Sequence, residues 1–264
     1  MRNKHNSISF YCISPDFSDG LKRTIQNVYI FVDEIIILLG SYSKKPTLPV
    51  YFDPQHKIKT FYKPFTYFAD MRNFALSKIS GQWVLMLDSD EVFSTKLLEN
   101  LTALVKTKRY DGYKFRRINF YQTPDETMDI FMHTRLFRAG KVLYVGRVHE
   151  LLDGLINIKE VMDTKQVILH FNRISDMGKN NRKYLAILER ELELANKYKN
   201  ERLRATTEFR IWANLHVDNI RIYKNPKLAQ VVKGEFYKRR SELMKVLGNK
   251  KNYHEELLAL ERLK

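Results

Sequence analysis

Apolar positions come in alternating blocks along the first ninety residues. Ile8-Ser-Phe-Tyr-Cys-Ile13 is an almost unbroken apolar run and predicts a buried opening strand. Leu21, Ile25 and Val28 follow at helical spacing, and the run Ile35 to Leu39 predicts a second strand. Lys57 to Tyr62 predicts a third strand. Met71, Phe74, Ala75 and Ile79 predict a helix that stops at Gly81, and Trp83 to Leu87 predicts a fourth strand. Strands that are apolar on both faces and alternate with helices predict a mostly parallel sheet with helices on both sides. Ligands of such sheets bind beyond the carboxyl ends of the strands, and Asp88-Ser-Asp-Glu91 stands at one such end.

Further on, Ser94 is placed to cap a helix carrying Leu97, Leu98, Leu101, Leu104 and Val105. The Asp111-Gly112 turn leads into an alternating segment, Tyr113 to Tyr121, and Met132 to Phe137, Val142 to Val148 and Val167 to Phe171 predict three more strands. From Asp176 the spacing is helical. Leu185, Leu188, Leu192 and Ala195 form the apolar stripe of the first tail helix, and Phe236, Leu243 and Leu247 form a later one. The expected organisation is an α/β catalytic domain over residues 1–175 and a basic helical extension over 176–264 that packs on it.

Composition narrows the class. With 264 residues and 44% hydrophobic content the chain is long enough to bury a full core. No apolar run approaches the length of a bilayer span and no secretory leader precedes the first strand, so a cytoplasmic protein is expected. The single cysteine, Cys12, excludes an internal disulfide and a thiolate zinc cluster, and fills a strand. The net charge of +16 points to phosphate-bearing ligands, polyanions or anionic surfaces. Residues 171–264 carry 22 Lys+Arg against 12 Asp+Glu, so the excess lies mainly in the tail. Peripheral contact of its basic helices with a membrane surface or an acidic acceptor follows from this. The basic and aromatic stretch Lys233 to Arg240 invites a nucleic-acid reading, but no nucleic-acid-binding signature accompanies it and no specific nucleic acid is expected.

Residues two apart on a strand share a face, so Asp88 and Asp90 are expected to aim both carboxylates at one ligand. Paired hard oxygens suit Mg²⁺ or Mn²⁺, which would bridge the phosphates of a nucleotide sugar and take up charge on the departing diphosphate. On these two residues alone, a solvated strand-to-helix turn stands as the alternative. Arg135 and Arg138 are three apart and so on opposite faces; Arg135 is the one expected to reach a diphosphate or an anionic acceptor. Val84 to Asp90 also fits the opening motif of haloacid-dehalogenase-like phosphatases, although no later acidic pair follows a strand and the motif does not open the domain.

Three ordered segments, Phe31 to Ile37, Asp70-Met-Arg-Asn-Phe-Ala-Leu76 and Gly81-Gln-Trp-Val-Leu-Met-Leu-Asp-Ser-Asp-Glu91, closely resemble family-two glycosyltransferases in content and spacing. His133 to Arg138, Gly146 to Glu150 and Ile168-Leu-His170 resemble the branch with lipopolysaccharide-core glucosyltransferases. The resemblance spans residues 7 to 190. It implies the GT-A nucleotide-sugar fold, an inverting transfer from a nucleotide-diphosphate sugar, UDP-linked by expectation, and a glycan, lipid-linked or protein acceptor.

By the same resemblance Asp88 lies near the ribose, Asp90 binds the divalent ion, and His170 is the candidate third ligand, with His149 facing the same question. Arg72 and Asn73 lie against the nucleotide. Inversion needs a base for the acceptor hydroxyl; Glu150 is the candidate, with Asp153 and Glu91 as fallbacks. The sequence departs from the family pattern twice. Leu38-Leu-Gly-Ser41 replaces an acidic residue that contacts the base, and Ser14-Pro-Asp16 replaces a Lys-Asn-Glu loop, leaving Asp16 as the candidate polar contact. An inactive nucleotide-sugar-binding relative is the alternative these departures keep open.

Overall fold

The computed structural model describes residues 6–40, 53–120, 127–140, 142–145, 150–171 and 174–199, with scattered positions between 201 and 242. The chain forms two compact units, residues 1–144 with 152–172 and residues 145–151 with 173–264. Phe236, Leu243 and Leu247, half of the 233–240 stretch, and Arg147 and His149 lie outside the described residues.

The first unit opens with β1 (Ile8–Ser14), α1 (Asp19–Val28), β2 (Glu34–Leu39), β3 (Ile58–Tyr62), α2 (Phe68–Leu76) and β4 (Trp83–Asp88). Next come β5 (Glu91–Phe93), α3 (Thr95–Lys106), β6 (Gly112–Phe120), β7 (Thr127–Arg138) and a separate two-stranded ribbon of β8 (Leu143–Val145) and β9 (Leu151–Asp153). The strands β10 (Ile158–Val161) and β11 (Val167–Phe171) end it. One sheet runs β3-β2-β1-β4-β7-β6-β11-β5, with β10 pairing β6 ahead of β11. The pairs among β3, β2, β1 and β4 are parallel, as are those of β6 with β10 and β11; β7 runs antiparallel to both its neighbours, and β5 to β11.

The period of two along each strand sorts the core onto two faces. Phe10, Cys12, Ile35, Ile37, Leu85 and Leu87 pack with Leu21, Ile25 and Val28 of α1 and Leu97, Leu98 and Leu101 of α3. The intervening Tyr11, Ile36, Leu38, Val84 and Met86 pack with Ala69, Met71 and Ala75 of α2. Helices thus cover both faces, as near-continuous apolar strands require.

Local chemistry sets the boundaries. Ser94 caps α3 by accepting the Leu97 N–H at 3.4 Å, as its position predicts. Gly81 does not stop α2, which ends at Leu76 with Ser77 as its cap. The glycine serves a close backbone approach instead: a Cβ there would lie 2.6 Å from Ser9 Oγ and 2.9 Å from Ser9 N. At this amino end of the sheet Glu34 is buried; it accepts Ser9 Oγ–H at 2.6 Å, Ser80 N–H at 2.9 Å and Lys59 Nζ at 2.7 Å. Burial raises the Glu34 carboxyl, and these three donors together bring it below its ordinary value.

In the second unit, α4 (Ile174–Lys197) buries Leu188, Glu191 and Ala195, spaced to lie on one face. Thr207 Oγ1 lies 3.4 Å from Glu191, and Arg239 pairs with Glu208 at 3.0 Å and Glu242 at 2.9 Å. No described helix is long and apolar enough to cross a membrane.

Candidate active site

The chain leaves β1 for β2 and β3 on one side, then returns to place β4 on the other. Strand order reverses between β1 and β4, and such sheets bind ligands at the carboxyl ends of the strands at that point. Ile13 and Asp88 are register partners at that lip.

Asp88 is the last residue of β4, and residues 89–90 form a turn before β5. The shared strand face expected for Asp88 and Asp90 is therefore not present, because the strand ends between them. Their partners differ accordingly. Asp88 Oδ1 accepts Arg72 Nη2 at 2.8 Å and Oδ2 accepts Arg135 Nη2 at 3.0 Å. Arg135 Nη2 also donates to Glu91 Oε1 at 2.8 Å, and Arg117 Nη1 lies 3.4 Å from the same oxygen. Glu91 Oε2 accepts the Asp88 N–H at 3.1 Å. Both Arg72 and Arg135 rest a second nitrogen on Met86 Sδ, at 3.3 and 3.0 Å.

Glu91, Arg72 and Arg135 are buried and Asp88 is partly so, and Asp88 and Arg135 respond to the opposite charges around them. Burial pushes Asp88 up, but the guanidinium groups of Arg72 and Arg135, then the Arg72 hydrogen bond and Arg117, hold it far below the carboxylate range. Arg135 is raised despite burial by Glu91 and Asp88. His133, on the same strand as Arg135, is pushed down to about 2 by burial and by Arg135 and Arg117, so it is neutral at physiological pH.

Asp90 faces His170 of β11, with Oδ2 and Nε2 3.3 Å apart. On the far side of the ring His170 Nδ1 is 2.8 Å from Asn119 Oδ1. An amide oxygen only accepts, so Nδ1 donates to Asn119 and Nε2 is left to the Asp90 carboxylate. A carboxylate oxygen and an imidazole nitrogen held side by side are joined either by a proton or by a cation between them. Adjacent donors around an octahedral ion with ligands at ~2.1 Å stand about 3.0 Å apart, so this pair fits one. Asn119 is the outer partner that fixes the ring.

The three-residue metal set expected from Asp88, Asp90 and His170 is not assembled. Among the described residues no group of three or more His, Cys, Asp or Glu side chains is placed to hold a metal ion. Each oxygen of Asp88 already accepts from an arginine. Glu91 is likewise unsuited as a fallback base: it is completely buried and ion-paired.

The remaining candidates divide. Arg72 and Arg135 are both about 5% exposed and direct their donors at protein carboxylates. Arg138 is on the other face, as its spacing predicts, stacked over Trp83 at 4.5 Å. Asn73 pins β8, its amide donating to the Tyr144 carbonyl and accepting the Tyr144 N–H, both at 2.8 Å. Asp16 is exposed in the loop after β1, where its carbonyl accepts Ser14 Oγ–H at 2.7 Å. Asp153 accepts the N–H of Gly154 at 2.7 Å, in a turn where Gly154 has φ 95°. Glu150 is half-buried and belongs to the second unit. The sequence reading missed Arg117 and Asn119. Their signal was present, two polar residues two apart on β6 and hence on one face.

The mixed, mostly parallel sheet with helices on both faces has the GT-A architecture. Residues 19–147 match the family described as "Glycosyl transferase family 2". Similar solved structures include the crystal structure of S. aureus TarS 1–349, with 12% identity and a TM-score of 0.45 over 90% of this chain and 80% of that one. The same protein in complex with UDP-GlcNAc has 10% identity and a TM-score of 0.43 over 92% of each chain. No curated protein sequence matches the chain.

Proposed function

We propose that the chain transfers a sugar from a nucleotide-diphosphate donor, UDP-linked in the first instance, to an acceptor hydroxyl with inversion and with a divalent cation. The observation that carries this reading is the Asp90 carboxylate set against the His170 Nε2, 3.3 Å away, at the lip of the sheet. Asp90 and His170 would hold the cation. When bound, Mn²⁺ or Mg²⁺ supplies neutralisation of the negative charge that grows on the leaving diphosphate.

The chain's own residues have separable tasks in this reading. Asp88 stays ionised under its two arginines and is an acceptor for hydroxyl groups of the nucleotide, not a proton shuttle. Asp16, exposed beyond β1, is the candidate contact to the base. Glu150 is the candidate base that takes the proton of the attacking hydroxyl. Arg135 and Arg72 hold Asp88 in one ionised orientation, which prepares the lip before the donor arrives. The acceptor is a glycan, a lipid-linked saccharide of the lipopolysaccharide-core kind, or a protein, met at the cytoplasmic face of a membrane through the basic tail.

The test is a panel of nucleoside diphosphates with and without Mn²⁺, read as a melting-temperature shift, since a ligand bound only to the native state raises it. A rise that needs both UDP and Mn²⁺, and vanishes in Asp90→Ala, supports the reading. Equal rises with excess chelator present refute its metal dependence.

A further inference from the structure

Helix α1 is fastened along the turn that carries Asp90, and we infer that Gly20 and Thr24 are positioning residues for the Asp90–His170 pair. The inference rests on the metal-dependent reading above and assigns the device that keeps the pair in place. Positions 20, 24 and 27 are spaced to share one face of the helix. All three meet the segment from Ser89 to Phe93. Thr24 is completely buried, and its Oγ1–H donates to the Glu91 carbonyl at 2.7 Å. Asn27 brackets Phe93, donating to its carbonyl at 3.0 Å and accepting its N–H at 2.8 Å.

Gly20 is the clearest sign of close fit. A Cβ at this position would lie 2.7 Å from the Ser89 carbonyl oxygen, nearer than carbon and oxygen can approach. Its backbone is ordinary helix, so glycine is not needed there for its conformational freedom. On helix propensity alone alanine would be better. Space for the Ser89 carbonyl is what the glycine provides.

The far side of the turn is held as well. The Phe171 N–H donates to the Asp90 carbonyl at 3.0 Å, and Arg23 of α1 lies over the Phe171 ring at 4.7 Å. Through Phe171 the helix therefore reaches the neighbour of His170. β5 has three residues and, among the described residues, pairs with β11 alone, so these ties help to place the turn. A site made of two protein donors gains most from such pre-organisation, because ordering the turn would otherwise oppose each binding event.

The test compares Thr24→Val, which removes the hydroxyl at nearly constant shape, with Thr24→Ser, which keeps it, and with Gly20→Ala. Two readouts are taken on the full chain: the Mn²⁺ concentration for half-maximal UDP binding, and amide exchange over residues 88–93. Thr24→Val and Gly20→Ala are expected to speed exchange in this segment and to raise the Mn²⁺ requirement by about tenfold or more, the usual effect of losing an outer support of a metal site. Thr24→Ser is expected to restore both. Faster exchange with an unchanged Mn²⁺ requirement would reduce the contacts to packing and overturn the proposal, as would unchanged exchange. A missing Mn²⁺ response in the unmodified chain sinks the metal-dependent reading and this inference together; a normal response there, unshifted in the variants, sinks this inference alone.

Discussion

Glu34 and Glu91 are both buried carboxylates of one sheet, and they are handled in opposite ways. At the amino end Glu34 meets a serine hydroxyl, a backbone N–H and a lysine whose own side chain is 53% exposed. At the carboxyl end Glu91 and Asp88 meet the buried guanidinium groups of Arg135 and Arg72, with Arg117 beside them. The first arrangement closes a sheet with weak, mostly neutral donors. The second concentrates five formal charges where a hydrophobic filling would be at least as stable. Charge assembled beyond what folding requires is a mark of functional sites, and here it lies at the carboxyl end of the sheet.

The largest effect expected from breaking this contrast follows removal of Arg135. Arg135→Met leaves Glu91 buried with the Asp88 N–H and the longer Arg117 contact, and releases one oxygen of Asp88. A loss of about 3–5 kcal/mol in unfolding free energy is expected, the usual result of orphaning a buried charge. Urea denaturation at neutral pH measures it, and a loss below ~1 kcal/mol would mean that the network is slack.

Asp90→Ala should do the reverse, leaving stability nearly unchanged and lowering sugar transfer by about a thousandfold, or ~4 kcal/mol of activation free energy. Transfer rates at saturating UDP-sugar and Mn²⁺, set beside melting curves, separate the two variants. Glu150→Gln comes next, with donor binding retained and turnover reduced on the order of a hundredfold if this carboxylate takes the acceptor proton. Unchanged turnover would move the base to another residue.

Much of this contrast was legible in the sequence. The parallel half of the sheet was readable because strands buried on both faces are continuous apolar runs, and Ile35 to Leu39 or Trp83 to Leu87 leave little alternative. The Asp88 to Asp90 segment, the opposite faces of Arg135 and Arg138 and the histidine near the end of β11 could be named from spacing and resemblance. What could not be read was partnership. Strand periodicity placed Asp88 and Asp90 together, but a strand end is a tertiary matter, and the chain turns after Asp88. Arg72 and Asn73 are adjacent and were given one role, yet one supports a carboxylate and the other clips a strand. Gly81 looked like a helix stop because close backbone packing against Ser9, 72 residues away in sequence, leaves no local trace.

The smallest expected effect tests the quiet end of the sheet. Glu34→Gln keeps an amide oxygen for Ser9 and Ser80 and places an amide NH₂ towards Lys59, which is free to turn into solvent. A loss of about 1 kcal/mol at pH 7 follows, the scale of one net hydrogen bond. The pH dependence carries the sharper information. Because the folded Glu34 carboxyl lies below its ordinary value, its contribution is complete above the unfolded value of about 4.3 and disappears as pH falls through the folded one. The stability gap between the two proteins should therefore be constant from pH 7 to about 5 and close in more acid solution. A gap that widens on acidification would show that Glu34 is folded in its protonated form, and the amino end would then be no neutral counterpart to the arginine-held lip.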